Sequence, residues 1–123
     1  MAGKRSKGRV GVVGLGIMGG AFAKNLAAAG WQVTGYDIDP TQNRKAARAG
    51  VEIAKDAADL AARVPIVLTS LPNPAALHLT VRKINAARLP PRIVAEMSTF
   101  TIDDKRKALA DLESVEDDRA VHQ

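Results

Sequence analysis

A chain of 123 residues, 46% of them hydrophobic, suits one domain with a modest and mostly aliphatic core. It has no Cys, which excludes disulfides, thiolate metal sites and cysteine nucleophiles and fits a reducing cytoplasm. The net charge of +5 comes largely from Lys4, Arg5, Lys7 and Arg9, a short solvated tail rather than a nucleic-acid surface, and no apolar run approaches the roughly 20 residues of a membrane helix.

In chain order, residues 1–8 read as a flexible basic tail. Residues 9–13 read as a strand, in which 11–13 are small or β-branched, as expected of a buried parallel strand. Gly14, Gly16 and Gly19 follow at the dinucleotide-binding spacing. The first allows a tight turn, the second a close approach of a pyrophosphate to the backbone, and the third a close helix–strand contact. Residues 17–29 then read as a helix whose first N–H groups face the phosphates, with Gly30 at its exit. A second strand covers 32–36 and ends at Asp37, 18 residues past Gly19 and near the roughly 20-residue offset of the ribose-binding carboxylate.

Asp39-Pro40-Thr41 is a turn and helix start, 42–49 is a helix closed by Gly50, and 51–53 is a short third strand. Asp56 caps a helix that runs to about residue 63. Pro65 opens a fourth strand over 66–70. Asn73-Pro74 begins a helix over 75–87, with Leu77, Val81 and Ile84 at helical spacing. Pro90-Pro91 ends it, 92–96 is a fifth strand, and 101–112 is a last helix with Thr101 and Asp104 spaced like a capping box. Residues 114–123 form a polar tail.

Strands thus alternate with helices, which predicts an α/β fold. The expected architecture is a Rossmann-type doubly wound parallel sheet over residues 9–113, with an incomplete second half. Asp37 accepts from a ribose diol and repels a 2′-phosphate, so NAD is the preferred cofactor and NADP stays open. Arg44 and Lys45 read mainly as a solvated helix face. His78 and His122 each stand alone, and no His/Asp/Glu cluster has metal-ligand spacing.

The stretch Gly14-Leu15-Gly16-Ile17-Met18-Gly19, with Asn25-Leu26, Ala29-Gly30, Tyr36-Asp37 and Pro40, resembles the N-terminal signature of the β-hydroxyacid dehydrogenase family. Leu71-Pro72-Asn73 is similar to the family's Leu-Pro turn beside the cofactor, and Glu96-Met97-Ser98-Thr99 to its segment near the nicotinamide ribose. The resemblance spans roughly residues 10–112. It implies that Gly14, Leu15, Gly16, Ile17, Met18, Gly19, Asp37, Leu71, Pro72 and Thr99 contact the cofactor and that Ser98 contacts substrate. Glu96 stands where the family usually has Asp, and no Pro follows Thr99.

The family's Ser-Gly-Gly substrate loop and its glycine-flanked catalytic lysine have no counterpart in these residues. Lys105 and Lys107 lie in a charged helical run, so no catalytic residue is assigned. The resemblance implies a truncated cofactor domain without the C-terminal helical domain, and by itself inactive. A face left apolar would promote self-association. A stand-alone dinucleotide-binding or sensing module needs the same fingerprint, and a remnant without function is the third reading.

Overall fold

The computed structural model describes residues 6–87 and 93–97. The expected helix over 101–112, the polar tail, Pro90-Pro91, Ser98, Thr99, Lys105 and Lys107 lie outside the described residues.

Strands and helices alternate as β1 (Arg9–Val13), α1 (Ile17–Ala28), β2 (Gln32–Tyr36), α2 (Pro40–Arg48) and β3 (Glu52–Ile53), then α3 (Ala57–Arg63), β4 (Ile66–Thr69), α4 (Pro74–Ala86) and β5 (Ile93–Glu96). The sheet order is β3-β2-β1-β4-β5, and every neighbouring pair is parallel. The chain starts at the centre of the sheet, builds outward through β2 and β3, and returns to the far side of β1 with β4. That reversal is the topological switch point where open α/β sheets hold ligands. The second half of the doubly wound pattern is represented by β4 and β5, as expected.

The register sets the functional edge. Val13 pairs with Tyr36 on one side and Thr69 on the other, and Thr69 pairs with Glu96. The next residue of each strand therefore emerges at one carboxyl edge. Gly14 N donates to Tyr36 O, Ser70 N to Val13 O and Met97 N to Thr69 O, each at 2.9 Å. At the other end the ladder engages ahead of β1, with Lys7 N donating to Gly30 O and Gln32 N to Gly8 O.

Both faces of the sheet are covered, which is why its central strands carry buried apolar residues on both faces. Val10, Val12, Val33, Ala23 and Ala46 pack on the side of α1 and α2. Val13, Val67, Leu60, Ala61 and Ile84 pack on the side of α3 and α4. Each such Leu, Ile or Val contributes about 1.5–3 kcal/mol by leaving water. Leu77, Val81 and Ile84 form the buried stripe of α4, as their spacing predicts. Helices α2, α3 and α4 start where the sequence offers a cap. Asp39 accepts from Thr41 N, Asp56 from Asp59 N and Asn73 from Ala76 N. Proline at the first position draws α2 and α4 slightly earlier than the expected 42 and 75.

One core position departs from good packing chemistry. Thr69 is fully buried, and its Oγ1 has no hydrogen-bond partner among the described residues. An unpaired buried hydroxyl costs about 1–3 kcal/mol. Thr69→Val keeps the shape and removes the polar atom. Thermal denaturation should show a midpoint raised by roughly 4 °C. A lowered midpoint would mean that the hydroxyl is bonded.

Candidate functional site

The glycine turn occupies the switch point. Gly14 has φ +94°, in the left-handed region, and a Cβ there would strike the carbonyl of Ser70 at the end of β4. Leu15 turns its side chain into the core, where it is buried with Val12 and Val33. Gly16 is the N-cap of α1, and a Cβ there would meet nothing within 4 Å. Gly19 lies so close to the turn that a Cβ would collide with the Gly14 carbonyl oxygen. The three glycines thus do different work. Gly14 makes the turn, Gly19 lets α1 pack under it, and Gly16 keeps its solvent side open.

Helix α1 differs from α2, α3 and α4 at its start. Gly16 supplies no side-chain cap, whereas each of the others has one. The first-turn N–H groups of Ile17, Met18 and Gly19 precede any i−4 acceptor within the helix. They point out of the helix end together with its partial positive charge, beside the open face of Gly16. Backbone donors, positive potential and free space together fit a diphosphate.

Asp37 stands beside the turn, one residue past β2. Its Oδ2 accepts from Leu15 N at 2.7 Å and its Oδ1 from Asp39 N at 2.8 Å. A carboxylate offers about four acceptor positions, so about two remain for a ligand. A ribose diol brings two hydroxyl donors. The side chain of Asn43, in the second turn of α2, holds the backbone of Asp37. Its Oδ1 accepts from Asp37 N at 2.8 Å, and its Nδ2 donates to Asp37 O at 2.9 Å.

A cavity of about 740 Å³ joins these parts. Of the residues expected from sequence, Gly14, Gly16, Ile17, Met18, Asp37, Leu71 and Pro72 line it together. Leu15 and Gly19 support the turn from behind. Ser98 and Thr99 lie outside the described residues. Arg44 and Lys45 do not line this cavity. Arg44 donates to Thr41 Oγ1 at 3.2 Å, and Lys45 lines a neighbouring groove of about 520 Å³ with Lys24 and Arg48.

The cavity also has members that sequence reasoning missed. Ile38 follows Asp37 and is 86% exposed, and Leu79, Thr80 and Lys83 come from α4. The signal for the α4 group was partial. Thr80 belongs to the buried stripe itself and residues 79 and 83 flank it, but only the sheet order shows that these positions look across the switch point. Asp37, Asp39 and Lys83 are the charged side chains of the lining. Among the described residues, no group of three or more His, Cys, Asp or Glu side chains could hold a metal. Nor is any described helix long and apolar enough to cross a membrane.

Known proteins resemble this chain in sequence and in fold. The sequence profile of the NAD binding domain of 6-phosphogluconate dehydrogenase matches residues 9–118. A Mycobacterium bovis protein named "Probable 3-hydroxyisobutyrate dehydrogenase" is 33% identical over 102 residues, which cover 83% of this chain and 35% of that protein. The solved 3-hydroxyisobutyrate dehydrogenase of Mycobacterium tuberculosis superposes with a TM-score of 0.83 at 31% identity, covering 88% of this chain and 37% of that one. The imine reductase of Myxococcus stipitatus, solved with NADP+, shares the fold at TM-score 0.79 and 16% identity, over 87% of this chain and 38% of that one. A variant of it, solved with NAD+, gives 0.81 at 17%, over 89% and 38%. The chain thus spans little more than a third of the length of the proteins it matches. An uncapped helix behind a three-glycine turn, a carboxylate ending β2 and a profile match over nearly the whole sequence agree: the chain belongs to the family of the NAD binding domain of 6-phosphogluconate dehydrogenase.

Proposed function

We propose that this chain is the cofactor-binding domain of an oxidoreductase acting on a small β-hydroxyacid or semialdehyde, and that it takes NAD in preference to NADP. One observation carries the cofactor choice. The Asp37 carboxylate lines the cavity with both oxygens anchored by backbone N–H groups and acceptor positions left over. A fixed carboxylate gains two hydrogen bonds from a ribose diol, and it repels a phosphate in place of the 2′-hydroxyl.

The residues present fit the dinucleotide. The first turn of α1 and the open side of Gly16 receive the diphosphate. Asp37 receives the ribose, and Leu71 and Pro72 wall the cavity beside it. We assign Thr99 to the nicotinamide side and Ser98 to the substrate, a reading supported by the likeness of Glu96-Met97-Ser98-Thr99 to the family's segment near the nicotinamide ribose. When bound, the nicotinamide supplies the hydride acceptor or donor. The chain's own residues bind and orient it, and the proton transfer is assigned to none of them. The substrate class rests on the likeness to 3-hydroxyisobutyrate dehydrogenases.

Calorimetric titration of the chain with each nucleotide tests this. NAD should bind tighter by at least about tenfold, since a like-charge contact at a protein surface costs more than ~1.4 kcal/mol. Asp37→Ser should shrink that gap. Equal affinities in the unsubstituted chain, or tighter NADP binding, would reject the role given to Asp37.

A further inference from the structure

Residue Asn43 belongs to no motif, yet its side chain makes two of the hydrogen bonds nearest the candidate ribose site. The reason lies in the sheet. In a parallel ladder, alternate residues direct both backbone groups to the same neighbour. Tyr36 O faces β1, where it accepts from Gly14 N. Gly35 O faces β3, where it accepts from Ala54 N. By this alternation the N–H and C=O of Asp37 also face the β3 side. But β3 covers only Glu52–Ile53 and pairs no further than Gly35. Asp37 therefore extends past the end of its neighbour.

The Asn43 amide fills that place. It accepts from Asp37 N at 2.8 Å and donates to Asp37 O at 2.9 Å, as a neighbouring strand would. A primary amide presents an acceptor and a donor side by side, which is what an unpaired strand residue needs. Helix α2 delivers it because Asp39 and Pro40 start the helix immediately after Asp37. Asn43 is thereby brought back over the strand end, half-buried like Asp37 itself.

We infer that Asn43 is a positioning residue for cofactor selectivity. By clamping the backbone of Asp37, it holds the carboxylate where Leu15 N and Asp39 N orient its oxygens toward the ribose position. This rests on the role proposed above for Asp37. Without the clamp, Asp37 loses its two backbone bonds, and Leu15 N and Asp39 N alone must hold its carboxylate in line. The diol then loses aligned acceptors, and a 2′-phosphate loses part of its repulsion.

The test compares NAD and NADP affinities of the 123-residue chain by calorimetry, in the parent, Asn43→Ala, Asn43→Ser, Asp37→Ser and the Asn43→Ala/Asp37→Ser double variant. Asn43→Ala should weaken NAD about tenfold, the size of one net hydrogen bond, and change NADP much less. Asn43→Ser, too short to bridge both groups, should act in the same direction and serves if the alanine variant does not fold. In the Asp37→Ser background the Asn43 substitution should leave the NAD to NADP ratio unchanged, because the carboxylate it positions is gone. Hydrogen exchange of the Asp37 amide should accelerate in both Asn43 variants, with no nucleotide present.

The failures separate. If Asp37→Ser leaves the ratio as in the parent, the reading of Asp37 falls and this one with it. If Asp37→Ser changes the ratio but neither Asn43 variant does, the Asn43 role is overturned and the Asp37 reading stands. An Asn43→Ala that weakens both nucleotides equally, or shifts the ratio just as much without Asp37, also overturns it, since the residue would then be acting on stability alone or on the nucleotide by a route other than Asp37.

Discussion

Gly16→Asp should abolish dinucleotide binding while leaving the fold as stable as before, or slightly more so. Gly16 has φ −70° and ψ −156°, ordinary extended backbone for an N-cap residue. A Cβ at this position meets no atom within 4 Å, so the new side chain has room. Asp is among the preferred N-cap residues, and its carboxylate would accept from the N–H groups of the first turn of α1. Relative to Gly the gain is a few tenths of a kcal/mol. Those N–H groups are the ones offered to the diphosphate. The variant would satisfy them internally and place a negative charge where the proposed binding mode puts the two phosphates. Titration with NAD should show no heat of binding, with the thermal midpoint equal to or above that of the parent. Binding retained at parental affinity would mean that the diphosphate does not use this helix end.

Gly19→Ala should do the opposite and unfold much of the chain. The added methyl points at the carbonyl of Gly14, which is backbone and cannot move aside by changing a rotamer. Gly14 is itself held by its N–H bond to Tyr36 O. Relief requires α1 to lift from the turn, which would open the contacts of Ala23 and Leu15 with the core. Overpacking costs about 1–3 kcal/mol even where side chains can adjust, and here the neighbour is main chain. A domain has only about 5–15 kcal/mol in all. Circular dichroism with urea titration should show a midpoint far below the parent, before any ligand is added. Parental stability would show that the helix has slack the close contact does not suggest. Two glycines three residues apart thus give separable losses, one of ligand and one of structure.

The glycine turn was legible because its signals are short in range. Strand, turn, helix and terminal acid lie within residues 9–37, and each follows from local geometry. Helix starts were legible for the same reason, since Asp39, Asp56 and Asn73 bond to N–H groups two or three residues ahead. The buried stripe of α4 showed as a period in the sequence. Leu15 was readable as part of the motif but not in its work, because only packing shows its side chain entering the core while its N–H anchors Asp37.

Residue order alone therefore determined the parallel α/β class, the glycine turn and the acidic end of β2, since all three rest on backbone constraints that few residue types satisfy. Only the tertiary structure decided what faces that turn. Leu79 and Lys83 reach the cavity because β4 returns beside β1, and no periodicity in α4 says which strand it will lie against. Asn43 clamps Asp37 because β3 stops short of it, and a missing strand partner is visible only once the sheet is assembled. Local chemistry is written in consecutive residues. A site at a switch point is made by segments that meet only after folding.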